Sequence, residues 1–380
     1  MRYPLLGRFA VLLALLPCAR LVAQTSQSGS VVNWLQVGFD AGQAYFNPNE
    51  TVLNASNVRN LEVLWTVELN AAGEGNSVPQ PLTTYADIIV AGDYGADPSL
   101  SGLDETSGSS VWQNFEGNGV AAVNEGIAFS SNIGNQLSAI NATNGATLWI
   151  ANLTTGFSNY TLPATTADGK VLVSDASGTF WAVDQMTGKL LWSYNIQAPA
   201  FYPAAAANDR VFVCARGTCY AFNRSGDLLW NVSGGGNSVV ASRKVVFAST
   251  KYGTFALDAA TGHTIWRYTL GGSSVAAALA DGILYTSGHS ITALNAKTGS
   301  VIWTTPVSTH LPVAVANGVL YAHADKGALY AIDTQTGATL RQIRTGSPAT
   351  GPIVANGGVF LGTTDGIFGG AFIWAFGVTP

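Results

Sequence analysis

The stretch that decides the fold is Ala256-Leu-Asp-Ala-Ala-Thr-Gly-His-Thr-Ile-Trp266. It predicts the end of one strand, a tight turn and the start of the next strand. Asp258 can accept hydrogen bonds from the turn amides, and Gly262 adopts backbone angles that β-branched residues avoid. The template recurs at residues 102–112, 139–149, 182–192 and 293–303, one residue shorter at 221–230, and with Arg in place of Trp at 331–341. Seven copies of one hairpin corner predict a repeat protein.

The spacing of the repeats indicates propeller blades. The corner tryptophans, together with Trp65, are 36 to 47 residues apart, and a period near 40 with about four strands per unit is typical of blades. Three strands at about residues 352–376 lack a fourth, which residues 61–69 can supply. We therefore predict an all-β, eight-bladed propeller of four-stranded antiparallel blades. Pairing of the N-terminal strand with the C-terminal strands would close the ring and remove its free edges.

The N-terminus has the pattern of an export signal. Arg2 and Arg8 precede the apolar run 9–17, and a cleavage site follows Ala23. We predict a signal peptide at 1–23, a leader and lead-in segment at 24–60, and one propeller domain at 61–378. A periplasmic or secreted protein is expected. Lipidation of Cys18 is disfavoured because Pro17 stands where a small residue is expected, and no segment of the mature chain is long and apolar enough to span a membrane.

The charge of the chain argues against nucleic acid as a partner, and its cysteines predict a disulfide. Charged residues are only 10% of the chain, the net charge is -5, and no basic run exists, which excludes the phosphate contacts that nucleic acid requires. Cys214 and Cys219 flank a short turn between two strand-like runs, and in an oxidising compartment they predict a disulfide. The alternative, a redox or metal pair, lacks a close Cys-x-x-Cys spacing and a nearby histidine.

The template Ala-x-Asp-x-x-Thr-Gly-x-x-x-Trp resembles the repeat of the PQQ-repeat (quinoprotein-type) propellers, and the resemblance covers about residues 34–378. Some members are alcohol or sugar dehydrogenases that hold PQQ and calcium on the ring axis. Others are cofactor-free scaffolds, such as the propeller lipoprotein of outer-membrane assembly, and the fold alone cannot choose between them. Arg341 departs from the pattern, which implies a weaker joint there. The resemblance implies that the remaining template tryptophans pack against a neighbouring blade: Trp112, Trp149, Trp192, Trp230, Trp266 and Trp303.

Catalytic chemistry has little support in the residues. The template aspartates are explained by turn geometry, and no two other carboxylates have a spacing that forces them together. The adjacent cysteines of the family's enzymes are missing, since Cys214 and Cys219 are separated. The chain thus resembles the non-enzymatic members of the family. We predict no catalytic residue, no metal-binding residue and no cofactor. PQQ and calcium are implied by the family resemblance alone and not by any residue of the chain. Chance placement on strands is the favoured interpretation of the four histidines, His263, His289, His310 and His323, although His323 and Asp325 share one strand face.

Function is expected where the repeats differ, at the residues that open each inner strand and would line the axial funnel. This set is polar and uncharged with one histidine, which suits a neutral polar ligand or a protein loop. We predict a non-catalytic, monomeric binding or assembly scaffold of the cell envelope whose partner is another envelope or extracellular protein or such a ligand. The alternatives are a small PQQ- and calcium-dependent alcohol or sugar dehydrogenase and a carbohydrate-binding or lyase-like propeller. The funnel candidates are Asn76, Asn118, Asn159, Tyr202, Asn237, Ser274, His310 and Thr350.

Overall fold

A computed structural model of the chain describes residues 31–69, 78–94, 99–119, 122–132, 136–153, 163–269, 277–364 and 370–379. The predicted signal peptide and the start of the leader lie outside these residues. The strands form eight sheets, each an antiparallel blade built around four strands. The predicted fold class, an all-β propeller of eight blades, is confirmed.

The blades follow one another along the chain, and each runs from an inner strand to an outer strand. Blades 1 and 2 comprise Thr83–Tyr85, Ile88–Tyr94, Ser99–Asp104 and Ser110–Asn114, then Ala122–Asn124, Ile127–Ser131, Gln136–Asn141 and Thr147–Asn152. Blades 3 and 4 comprise Thr165–Ala167, Lys170–Ser174, Thr179–Asp184 and Leu190–Asn195, then Ala205–Ala207, Arg210–Ala215, Thr218–Asn223 and Leu228–Ser233. Blades 5 and 6 comprise Ser238–Ala241, Val245–Thr250, Gly253–Asp258 and Thr264–Tyr268, then Ala278–Ala280, Ile283–Thr286, Ile291–Asn295 and Val301–Thr305. Blade 7 comprises Ala314–Ala316, Val319–Ala324, Ala328–Asp333 and Thr339–Arg344.

Blade 8 is assembled from both ends of the chain. Its first three strands are Ile353–Ala355, Gly358–Thr364 and Ala371–Gly377, and its outer strand is Glu62–Leu69. The outer strand pairs antiparallel with the third, with Leu69 opposite Ala371 and Val67 opposite Ile373. The predicted closure of the ring is therefore confirmed. Short additional elements are the strands Phe46–Asn47, Val78–Pro79 and Ser347–Pro348 and the 3-10 helix Val58–Asn60.

The corner template makes a joint between neighbouring blades. In blade 5, Asp258 Oδ1 accepts hydrogen bonds from the backbone N–H groups of Ala260 and Thr261 at 3.0 and 2.9 Å. The indole of Trp266 crosses to blade 6, where its Nε1 donates to the carbonyl of Ala296 at 3.0 Å. Its ring also covers Gly299, so closely that a Cβ on this glycine would lie 2.7 Å from two ring carbons. A corner glycine is needed because no side chain fits between the backbone and the neighbouring indole.

The same joint repeats around the ring. Six further tryptophans donate from Nε1 to a corner carbonyl of the following blade: Trp65 to Glu105, Trp112 to Ala142, Trp149 to Gln185, Trp192 to Arg224, Trp230 to Ala259 and Trp303 to Thr334. Arg341 occupies the eighth position, and its Nε donates to the carbonyl of Leu61 at 3.1 Å. The planar guanidinium thus makes the bond that an indole N–H makes elsewhere.

Carboxylates gather at the joint between blades 8 and 1. Burial raises the pKa of Glu105 to about 7, although Asn356 Nδ2 donates to its carboxylate at 3.0 Å. The neighbouring charges of Asp87, Asp104 and Glu50 raise this pKa further. Deprotonation of Glu105 therefore destabilises the folded state.

The N-terminal segment, residues 34–47, fills the ring axis. The inner strand of each propeller blade leaves backbone N–H groups facing the axis, and buried N–H groups require partners. The carbonyls of Trp34, Leu35, Ala41, Gly42, Ala44 and Tyr45 accept from the inner strands of blades 1, 2, 4, 5, 6 and 7 in that order. Gln36 bonds the backbone of Thr166 in blade 3, and Asn47 Nδ2 donates to Val354 of blade 8. Since it meets all eight blades in sequence, the segment circles the axis.

Candidate functional site

The loops of the propeller lie on two faces. Strand direction alternates within a blade, so the connections from one blade to the next share a face with the turns between second and third strands. We call this the connection face. The template corners and the inner hairpin turns lie on the opposite face, the corner face. The described residues of the funnel set belong to the connection face because they precede the inner strands.

A cavity of about 250 Å³ lies at the axis on the connection face; we call it the axial cup. Val37 and Tyr45 of the N-terminal segment line its floor, so the chain itself closes the axis below the cup. Its wall is largely apolar and rigid, because a proline stands just before the inner strand in five blades. These are Pro81, Pro163, Pro203, Pro312 and Pro352.

Two tyrosines are prominent among the few polar groups of the cup. Tyr45 is 3% exposed, and its hydroxyl has no hydrogen-bond partner among the residues that the structure describes. Burial raises the pKa of Tyr45 well above its usual range, with a further contribution from Tyr202. Burial likewise raises the pKa of Tyr202. Both side chains are protonated at neutral pH and can donate a hydrogen bond. Tyr45 also holds a left-handed backbone with φ of 51°, a conformation of higher energy for a bulky residue.

A histidine and an aspartate meet at the wall of the cup. His310 Nδ1 lies 2.8 Å from Asp325 Oδ2, and its backbone N–H donates to Asp325 Oδ1 at 3.0 Å. Ser308 Oγ donates to the same carboxylate at 2.6 Å. Burial opposes ionisation of Asp325, but the bonds from Ser308 and His310 lower its pKa below the usual range. The carboxylate therefore orients the imidazole of His310.

His323 does not join this pair, although the sequence places it on the same strand face as Asp325. Its Nδ1 lies 3.1 Å from the carbonyl of Thr350, and its Nε2 lies 3.0 Å from Thr345 Oγ1. Burial lowers the pKa of His323 to about 4, against the raising effect of hydrogen bonds to the backbone of Thr350 and Gly346. It is thus a neutral group that links blades 7 and 8.

A second cavity, of about 770 Å³, lies beside the cup on blades 3 to 5; we call it the groove. The structure joins Cys214 to Cys219 by a disulfide at the base of a hairpin. Arg216 and Gly217 form the hairpin tip with φ of 49° and 83°, and Asn237 Oδ1 accepts from the N–H of Gly217 at 3.1 Å. This support holds Arg216 at the groove, which it lines together with Asn237.

A profile of the family described as "Outer membrane protein assembly factor BamB" matches four overlapping segments of the chain, at residues 96–214, 133–280, 215–310 and 287–373. Together these segments cover more than half of the chain. The chain belongs to this family. The predicted membership of the PQQ-repeat propellers is confirmed with it.

Individual relatives agree with this assignment. The outer membrane protein assembly factor BamB of Shewanella oneidensis is 27% identical over 297 residues, which are 73% of this chain and 70% of that protein. The crystal structure of BamB from Moraxella catarrhalis has a TM-score of 0.65 at 19% identity, over 83% of this chain and 97% of that chain. The quinohemoprotein alcohol dehydrogenase from Comamonas testosteroni has a TM-score of 0.75 at 13% identity, over 91% of this chain and 80% of that chain. At these identities the two solved structures show the fold alone.

The cup of this BamB-family chain is a poor match for a calcium–quinone pair. Calcium takes six to eight oxygen ligands, with carboxylates prominent among them, yet none of the described residues that line the cup is Asp or Glu. Asp325, the carboxylate that contacts His310 of the wall, is engaged by His310 and Ser308. Over the described parts of the chain, no three His, Cys, Asp or Glu side chains form a metal-binding group, and no helix is long and apolar enough to cross a membrane.

The structure brings together only part of the predicted funnel set. Tyr202, His310 and Thr350 line the cup, and Thr350 Oγ1 accepts from the N–H of Gly362 at 2.7 Å. Tyr202 and Asn237 line the groove. Asn118 is 2% exposed and lines neither cavity. Asn76, Asn159 and Ser274 lie outside the described residues.

Sequence reasoning missed the floor of the cup and the partner of His310. Tyr45 lies in a segment without the repeat, so no alignment of blades could place it on the axis. Asp325 lies in the turn between the second and third strands of blade 7, fifteen positions after His310. The two residues meet only in the folded protein. A signal that the sequence did offer is the proline one or two residues before the inner strand in five blades.

Proposed function

We propose that the chain is a non-catalytic scaffold of the cell envelope that binds another envelope protein through the groove on its connection face. Membership of the BamB family supports this class of function, because the relative from Shewanella oneidensis is named an outer membrane protein assembly factor. On this proposal the predicted signal peptide at 1–23 exports the chain, and the mature protein acts as a monomer.

The observation that carries the proposal is the exposed chemistry of the groove. Phe201 lines both the groove and the cup and is 54% exposed. Arg216, on the disulfide-bonded hairpin, also lines the groove. The matching turn of blade 5 carries Tyr252, 69% exposed, with Lys251 Nζ 4.9 Å from the centre of its ring. Aromatic residues and arginine dominate the binding energy of protein interfaces. Arg216 and Lys251 place two positive charges on this part of the connection face, although the chain as a whole is acidic. These charges favour a partner segment that bears a carboxylate.

Photo-crosslinking in the native cell tests this proposal. A photoreactive amino acid replaces Phe201 in the groove or, as the control, Met186 on the corner face, which is 59% exposed. We expect position 201 alone to yield a discrete adduct, identified by mass spectrometry as an envelope protein. Arg216→Glu should reduce that adduct at least tenfold by reversing the charge. Equal adducts at both positions, or no adduct at 201, would refute the proposed groove.

The second candidate remains a small PQQ-dependent dehydrogenase, which the likeness of fold to the Comamonas testosteroni enzyme keeps open. It predicts that the purified chain, incubated with PQQ and calcium, gains dye-linked oxidation of alcohols or sugars. Such activity, abolished by chelation of calcium, would replace the scaffold proposal. An absence of both activity and thermal stabilisation would remove the dehydrogenase candidate.

A further inference from the structure

Two exposed histidines are held side by side on the connection face by the backbone. His289 lies in the turn between the second and third strands of blade 6, and His310 lies in the connection into blade 7. Between them, Gly288 and Thr309 form an antiparallel bridge, and the N–H of Thr309 donates to the carbonyl of Gly288 at 2.9 Å. The two histidines are neighbours of the bridged residues, so the bridge fixes their mutual position.

Asp325 determines which ring nitrogen of His310 carries the proton. Because its carboxylate can only accept, the 2.8 Å contact requires Nδ1 of His310 to carry the proton. In the neutral imidazole the lone pair is then on Nε2, the nitrogen without a bond to Asp325. Metal-binding histidines commonly donate their other N–H to a carboxylate in this way, which fixes the tautomer and the ring orientation.

The separation of the two rings suits a shared ion. The ring centres of His289 and His310 are 6.0 Å apart, and the ring planes are nearly perpendicular at 87°. With a metal–nitrogen bond of about 2.1 Å, an ion lies about 3.2 Å from each ring centre, so two rings on one tetrahedral ion have centres about 5.2 Å apart. A rotation of either exposed side chain removes the difference of about 1 Å.

We propose that His289 and His310 bind a divalent transition-metal ion, zinc or copper, at the rim of the axial cup, with Asp325 as the residue that positions His310. Two protein ligands leave further coordination positions to water, and His310 lines the cup. An open position of the ion is therefore available to a donor group of a molecule that enters the cup. This site is independent of the groove and of the scaffold proposal.

Metal titration of the mature chain, without a histidine tag, tests the site. Isothermal titration with Cu²⁺ and Zn²⁺ should show one ion per chain, with copper bound more tightly than zinc. Ca²⁺ and Mg²⁺ should not bind there, because these ions prefer oxygen ligands. His289→Ala and His310→Ala should each weaken binding at least tenfold, and Asp325→Asn should weaken it by about 10- to 100-fold. The matched control is His263→Ala, an exposed histidine on the corner face, which should leave binding unchanged.

A spectroscopic measurement separates ligation from a merely structural role. Electron paramagnetic resonance of the copper-loaded chain should show coupling to two imidazole nitrogens, and each histidine variant should lose one of them. Circular dichroism of the metal-free variants establishes that they are folded. The proposal is overturned if copper at 100 µM does not bind, or if folded His289→Ala and His310→Ala variants retain the affinity and the two-nitrogen spectrum.

Discussion

The joint between blades is open to a matched test on two glycines of blade 6. Gly299 at the corner and Gly282 at the inner hairpin turn have nearly the same left-handed backbone, with φ of 73° and 77°. A Cβ on Gly299 would lie 2.7 Å from ring carbons of Trp266, whereas a Cβ on Gly282 would meet nothing within 4 Å. The substitutions Gly299→Ala and Gly282→Ala therefore share the backbone penalty and differ in the contact with the indole.

The expected magnitudes follow from these contacts. A left-handed alanine costs about 1–2 kcal/mol, offset by about 0.4–1 kcal/mol because alanine restricts the unfolded chain. We expect Gly282→Ala to lower the free energy of unfolding by about 1 kcal/mol. Gly299→Ala should lower it by a further 1–3 kcal/mol, roughly the cost of an overpacked site, because the indole of Trp266 must move from its bond to Ala296.

Equilibrium unfolding in urea measures both variants. The excess loss at Gly299 should vanish in a Trp266→Ala background, because the added methyl group then meets no ring, while the loss at Gly282 should be unchanged. Equal destabilisation by the two substitutions in the wild-type background would refute the argument that the corner glycine exists to seat the neighbouring indole.

Three further outcomes are expected. Tyr45→Phe should raise the free energy of unfolding by about 1 kcal/mol because it removes a buried hydroxyl without a described partner, whereas Tyr220→Phe should lower it by about 1 kcal/mol because that hydroxyl donates to a carbonyl at 3.2 Å. A urea titration in which Tyr45→Phe destabilises would contradict this. Glu105→Gln should remove a loss of stability between pH 4.5 and about 7: the folded-state pKa of Glu105 is raised, so the contribution of this group to stability is greatest at low pH and falls as its carboxylate ionises. A stability difference between Glu105→Gln and the wild type that does not grow with pH across that range would contradict the sign, because the comparison cancels other titrating groups such as His323. Arg341→Ala should lower the free energy of unfolding by about 1–2 kcal/mol through loss of its bond to Leu61 and of its packed stem; an unchanged urea midpoint would show that this joint contributes nothing.

The sequence by itself determined the ring. Each corner is a local unit with an aspartate or asparagine and a glycine within eleven residues, and six of the seven copies end in a tryptophan. Its geometry can therefore be predicted from the local sequence. Repetition at a regular spacing then implied blades, and the incomplete set of strands at each terminus implied closure. These features rest on local turn chemistry and on counting.

Only the tertiary structure shows which residues lie together at the ring axis, because the contacts there join residues that are distant in the chain. Tyr45 lies at the floor of the cup because the segment 34–47 bonds all eight blades, a role that no repeat pattern marks. His310 meets Asp325 fifteen positions away and His289 twenty-one positions away through neighbouring turns. Local sequence preferences cannot predict these contacts of His310, because the packing of the blades against one another sets the positions of the loops on a propeller face.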